Sequence, residues 1–172
     1  MAKTDSFFIR AKVNYNDDSV FAQDEISLGS YVNLGVSKST LLRIHNIQVG
    51  YREGEGVFQP SPTGASVIAN VAWQLTTQSQ TAIVGLDDKS VCASGGLVAS
   101  SDANQIVQYM DDVTDINPSQ FKNGYLVGTD SMFLGIDGDA NWVSSFDLGI
   151  LLECTLENAT QANSIALALS QQ

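Results

Sequence analysis

Few residues in this sequence could do chemistry, and their surroundings narrow what that chemistry could be. His45 is the only histidine. It stands inside an alternating apolar run, residues 41–52, and not at a loop tip where catalytic groups gather, so its imidazole reads as a structural, hydrogen-bonded group. A Ser-His-Asp triad could be built only around His45, yet no serine has the strand-to-helix G-x-S-x-G setting that exposes a nucleophile. Cys92 and Cys154 lack the paired C-x-x-C spacing of a zinc or redox motif. They read either as two small buried hydrophobes or as one disulfide.

The remaining candidate is a hard-cation site at Asp137-Gly138-Asp139-Ala140-Asn141, where oxygen-bearing side chains alternate as at the start of a calcium loop. Trp142 then stands where the calcium hand requires glycine, and Leu148 where it requires the closing glutamate. Asp137, Asp139 and Asn141 are therefore a Ca²⁺ candidate outside the EF-hand pattern, the alternative being a hairpin turn with solvated carboxylates. Asp17-Asp18 and Asp111-Asp112 with Asp115 are similar acidic clusters, able to bridge subunits through Ca²⁺ or simply to end loops in water. No other cofactor is expected. Gly54-Glu55-Gly56 opens no helix and so makes no nucleotide fingerprint. Nothing selects two of the nineteen acids as a glycosidase pair, and the chain is not expected to be an enzyme.

Eight Lys and Arg against nineteen Asp and Glu leave a net charge of −11. The basic residues, Lys3, Arg10, Lys12, Lys38, Arg43, Arg52, Lys89 and Lys122, are scattered, so no patch neutralises several phosphates and direct nucleic-acid binding is not expected. Apolar runs are only a few residues long, which predicts no membrane-spanning helix, and Met1 to Asp5 leads into a strand without a signal peptide's apolar stretch.

The elements that must position these groups show a period of two almost throughout. Phe7, Ile9, Ala11, Val13 and Tyr15 alternate with Phe8, Arg10, Lys12 and Asn14, the signature of a strand with one wet face. Further strands are predicted at 22–28, 41–52 (apolar on both faces near its start), 67–76, 81–86, 91–94, 106–110 (where Asp102 could instead cap a short helix carrying Ile106, Val107 and Met110), 125–135 and 146–156, with a tight turn through Asp137-Gly138-Asp139 joining the last two. The tail, 159–172, reads as a terminal arm. Some eight or nine strands with no repeat or linker predict one all-β domain over 1–172, an antiparallel two-sheet sandwich with short N- and C-terminal arms.

In its length, in strands such as 7–15, 41–52, 67–76 and 146–156, and in its Gly- and Pro-rich loops, the chain resembles the single jelly-roll capsid proteins of tailless icosahedral viruses. Within that group it is most similar to the small major capsid proteins of internal-membrane viruses of archaea and thermophilic bacteria. The resemblance implies a jelly roll of about eight strands and self-assembly into an icosahedral shell with copies of itself or other capsid proteins. It also implies residence in the virion after synthesis in the host cytoplasm, close to an internal membrane but not spanning it. Many relatives that package a naked genome carry an Arg-rich arm, whereas here only Lys3 stands before Phe7, so direct genome condensation is not expected. The competing reading is a carbohydrate-binding sandwich or a spike or fibre domain. There Trp142, in a turn, would contact sugar, while Trp73 lies on an apolar face that predicts burial in the core.

Overall fold

The computed structural model describes residues 5–34, 38–54, 58–111 and 116–171. Among these residues nine strands form: β1 (Phe7–Tyr15), β2 (Ala22–Ser27), β3 (Lys38–Glu53), β4 (Ile68–Thr76), β5 (Val91–Ser101), β6 (Val107–Asp111), β7 (Tyr125–Val127), β8 (Ser131–Gly138) and β9 (Phe146–Thr160). A 3₁₀ turn, Pro118–Gln120, precedes β7, and one helix, α1 (Gln161–Ser170), follows β9. One sheet has the order β1-β9-β3-β7 and the other β2-β8-β4-β5-β6, all neighbours antiparallel. The pairings nest: β1 with β9, β2 with β8, β3 with β7, β4 with β5. A long hairpin rolled up on itself gives this order, and the fold is a jelly roll with β6 added at one edge.

The roll is set by which side chains must leave water. Along β9 every second residue, Phe146, Leu148, Ile150, Leu152 and Cys154, is at most 4% exposed. Each such burial contributes roughly 1.5–3 kcal/mol. Opposite them β4 and β8 turn Ala69, Val71, Trp73, Leu75, Met132, Leu134 and Ile136 into the same cluster. Both cysteines are buried free thiols.

The two apolar faces of β3 have a local cause. A bulge between Ile44 and Asn46 moves the inward phase from Leu42 and Ile44 to Ile47. Leu41, on the other face, is buried as well.

Four expectations change. Residues 81–86 form no strand. The amide of Gln74 takes the place of a ladder there, accepting from Val84 N at 3.0 Å and donating to Ala82 O at 3.2 Å. The strand expected at 91–94 runs on through Gly95 and Gly96 to Ser101, because those glycines pair with Trp73 and Ala72. Residues 125–135 split at Gly128-Thr129-Asp130 into β7 and β8, which lie in different sheets. Asp137-Gly138-Asp139 therefore closes no hairpin; Asp137 and Gly138 still pair with β4, and the chain crosses to the other sheet over residues 139–145.

The tail packs against the sandwich. Ala159 and Thr160 end β9, and Thr160 caps α1. Ser164 donates to the buried Ser39 at 2.8 Å. Beyond the helix, Gln171 is buried as a latch. Its Oε1 accepts from Gly128 N (2.8 Å), its Nε2 donates to Leu126 O (2.7 Å) and to the Tyr125 hydroxyl (3.2 Å), and its main-chain oxygen accepts from Thr77 Oγ1 (2.8 Å). One residue thus ties β7 of the first sheet to the end of β4 in the second.

Gln171→Ala strands those buried groups and should lower the unfolding free energy by about 2 kcal/mol in urea denaturation. An unchanged midpoint would show that the tail does not clamp the sheets.

Candidate functional site

The best-formed concavity is a cleft of ≈440 Å³ at the open side of the sandwich, between the second half of β3 and the β5–β6 edge. Ile47, Val49 and Tyr51 come from β3, Trp73 from β4, Gly96 and Leu97 from β5 and Tyr109 from β6, with Arg52, Gln59, Ser94 and Asn117 adding polar groups. The cleft exists because β7 pairs only with Leu42, Arg43 and Ile44, which leaves the rest of β3 as an edge.

Asn117 closes part of that edge. Its Nδ2 donates to Ile47 O at 2.8 Å, while its Oδ1 accepts from Ile47 N at 3.3 Å and from Ser119 N at 3.1 Å. One amide therefore stands in for a neighbouring strand while capping the 3₁₀ turn. Its sequence signal, Asn-Pro-Ser-Gln, marks a capping box but not a clamp across seventy residues. The cleft-lining set of aromatic rings, amides and one guanidinium suits a polar ligand with an apolar face, such as a sugar ring. None of its described lining residues is a carboxylate, imidazole or thiol.

The residues singled out by type lie apart from the cleft. His45 sits at the β3 bulge with Nε2 2.9 Å from Thr155 Oγ1. Cys92 donates to Leu75 O at 2.9 Å, and burial pushes its thiol well up, away from thiolate chemistry. Burial likewise pushes the Cys154 thiol up to about 12.

Of Asp137, Asp139 and Asn141, a hydrogen bond joins the last two, while Asp137 lies in β8. Asp139 Oδ2 accepts from Asn70 N (2.9 Å) and Asn70 Nδ2 (3.1 Å), and its Oδ1 accepts from Asn141 N (3.2 Å). Asn141 Nδ2 donates to Ile68 O at 2.9 Å, and Asp137 Oδ1 accepts from Gly138 N at 2.8 Å. Nearby, Asp17 Oδ1 accepts from Trp142 N at 3.1 Å. These oxygens are thus engaged by N–H donors, and the bonds tie the segment after β8 to the start of β4 and to the β1–β2 loop. Of the acidic cluster at Asp111, Asp112 and Asp115, the last two lie outside the described residues. Among the described residues no three His, Cys, Asp or Glu side chains gather as a metal site.

Trp142, expected as a sugar contact, is instead fully buried, its ring 5.1 Å from that of Phe146 and edge-on to it. A turn position misled because the loop folds inward, with Trp142 as its anchor. Trp73 is in the core as its alternating face predicts, with only its margin reaching the cleft.

Two predictions follow from this geometry. Asp139→Ala removes three hydrogen bonds and should cost about 1–3 kcal/mol, with melting curves in excess calcium and in chelator superimposing. A calcium-dependent rise lost in that variant would assign a cation to the turn. The second concerns alkali. Burial, aided by Asp137, Asp139 and Asp17, raises Tyr15 to about 12, and burial raises Tyr125 to about 12. Groups whose folded values lie above their unfolded ones (10.0 for Tyr, 9.0 for Cys) stabilise fully below the unfolded value and lose that contribution as pH rises through the folded one. Urea midpoints should therefore fall from pH 9 towards 12, and a flat profile across that window would contradict the burial of these groups.

No protein-family model and no curated protein matches the chain. Among solved structures, the Merkel cell polyomavirus virus-like particle is similar over 92% of this chain and 75% of its own, at 8% identity and a TM-score of 0.40. VP1 of trichodysplasia spinulosa-associated polyomavirus, in complex with sialylated glycooligomers, is similar over 88% of this chain and 94% of its own, at 8% identity and a TM-score of 0.40. Merkel cell polyomavirus VP1 in complex with disialyllactose is similar over 90% and 96%, at 7% identity and a TM-score of 0.37. At such scores the assignment of the chain to the jelly-roll fold rests on its own strand order.

Proposed function

We propose that the chain is a structural subunit of a virus shell that assembles with copies of itself or with other shell proteins, and that it resides in the virion. The observation that carries this reading is the jelly-roll strand order, built on a core in which the two thiols are sealed. Jelly rolls serve chiefly as shell subunits, lectins and cupins, and fold alone does not choose among them. A cupin's metal centre draws on several histidines, and this chain has only His45. A charge of −11 without a basic run favours protein partners over nucleic acid.

The second reading, a carbohydrate-binding module, is favoured by the cleft with Tyr51, Tyr109, Asn117, Gln59 and Arg52 around it. The two readings part on what the purified protein does alone. Because like charge opposes association until salt screens it within about 8–10 Å, assembly should grow with both concentration and ionic strength. Sedimentation velocity, with electron microscopy of the fast fraction, should show capsomers or closed shells. A chain that stays monomeric, alone or mixed with other proteins of its source, and whose tryptophan emission shifts on titration with oligosaccharides, would transfer the function to the cleft.

A further inference from the structure

Each sheet of an open sandwich has two edges whose free N–H and C=O groups invite pairing, and proteins guard such edges with charge, proline or local covers. Three of the four edges here are guarded. On the first sheet, Asn117 covers Ile47, Glu53 N bonds to Phe58 O at 2.8 Å, Arg52 covers Tyr51 O, and Gln171 takes Leu126 O on β7. Its other edge, β1, carries Arg10 and Lys12; the adjoining edge of the second sheet, β2, carries Asp24 and Glu25.

The fourth edge, β6, reads Val-Gln-Tyr-Met-Asp, with no proline and no charge before its last residue. Ile106, Tyr109 and Met110 are 60%, 41% and 61% exposed. Asp102 N donates to Ile106 O, which sets the phase of the ladder: Gln108 and Met110 turn their main-chain groups to Ser100 and Val98, whereas Val107 and Tyr109 turn theirs outward.

We propose that β6 is an assembly edge, pairing antiparallel with β6 of a second copy across a two-fold axis at Tyr109 and joining the two five-stranded sheets into one. The occupant is a second copy because the strand is self-complementary. Centred on Tyr109, the register sets Gln108 opposite Met110 of the other copy and Val107 opposite Asp111, and allows about six main-chain hydrogen bonds. The two copies of Asp111 then stand at opposite ends, their backbones offset by about 14 Å, beyond the screening length. The guarded edges fail the same test. A two-fold on β2 at Asp24 or at Glu25 sets that carboxylate against its own copy, and one on β1 at Ala11 sets Arg10 against Lys12, like charges directly opposed. Five residues a side fall short of the roughly 800 Å² per partner of a lasting dimer, so the pairing serves as one of several contacts of a shell subunit and rests on the assembly reading in that respect.

The test uses the full chain and the variants Tyr109→Pro and Met110→Lys. The Tyr109 N–H is not needed by its own sheet, so proline there spares the internal ladder, and the lysine adds the missing guard without touching the backbone. Hydrogen exchange across 107–111 should slow when dilute protein is concentrated into its associated form. Each variant should raise the dissociation constant about tenfold or more with unchanged melting. Association by the variants at wild-type strength, or associated wild type with 107–111 still exchanging freely, overturns the proposal. Shells formed with β6 unprotected would leave the assembly reading standing without this edge. A β6-paired dimer that never grows would do the reverse, and a wild type monomeric at every concentration would remove both.

Discussion

The structure depends on the pairing of β9 with a strand on each side. From Phe146 to Cys154 its buried and less buried residues alternate strictly, and an alternating strand with an apolar face must bury that face. The partners come from distant parts of the chain: β1 runs along it from Phe7↔Cys154 to Tyr15↔Phe146, and β3 from Lys38↔Thr160 to Glu53↔Phe146. A one-residue slip in either ladder would turn every inward side chain to water, so the register is held by the core itself. With the chain's end and beginning so joined, β2 and β8, β3 and β7, and β4 and β5 fall into nested pairs, and the second sheet closes over the first.

Buried polar groups follow from that closure, since loops passing from sheet to sheet carry backbone that no ladder satisfies. The sandwich meets this with side-chain amides and carboxylates used as substitute backbone. Asn117 pairs with Ile47, Gln74 with Ala82 and Val84, Gln171 with Leu126 and Gly128, and Asp139 with Asn70. On the outer face of the first sheet, Arg43 and Glu157 form a bidentate pair at 2.5 and 2.8 Å in which both side chains are largely buried. Such groups hold shape more than they add stability, because each replaces hydrogen bonds to water. The chain's many Asn, Gln, Ser and Thr residues are explained by this use as much as by solubility.

Period-two patterning made most strands legible, including β9, β1 and the weaker β6. It failed where a substitute partner replaced a ladder: 81–86 alternate like a strand but lie against Gln74. It also could not show sheet membership, so the passage from β8 to β9 read as a hairpin turned at Asp137-Gly138-Asp139. Trp142 illustrates a related limit: turn residues point outward by default, and only the three-dimensional position of Phe146 and Asn70 shows why this one turns in. The cleft was not legible at all, because its lining is drawn from β3, β4, β5, β6 and the cap of the 3₁₀ turn, far apart in sequence and with no common spacing. His45 and the two cysteines, conspicuous by type, are committed to the fabric of the fold.

Function on this account resides in edges and faces whose positions are referred to β9 through the two ladders. Native-state hydrogen exchange resolved by residue tests that most directly. The slowest amides should be those of β9 and of β3 where they bond to each other, exchanging only by global unfolding, while the outward amides of β6 exchange fastest among the strands in dilute protein. Amides of β9 that exchange as readily as those of β6 or β2, under conditions where β4 and β8 stay protected, would contradict the account.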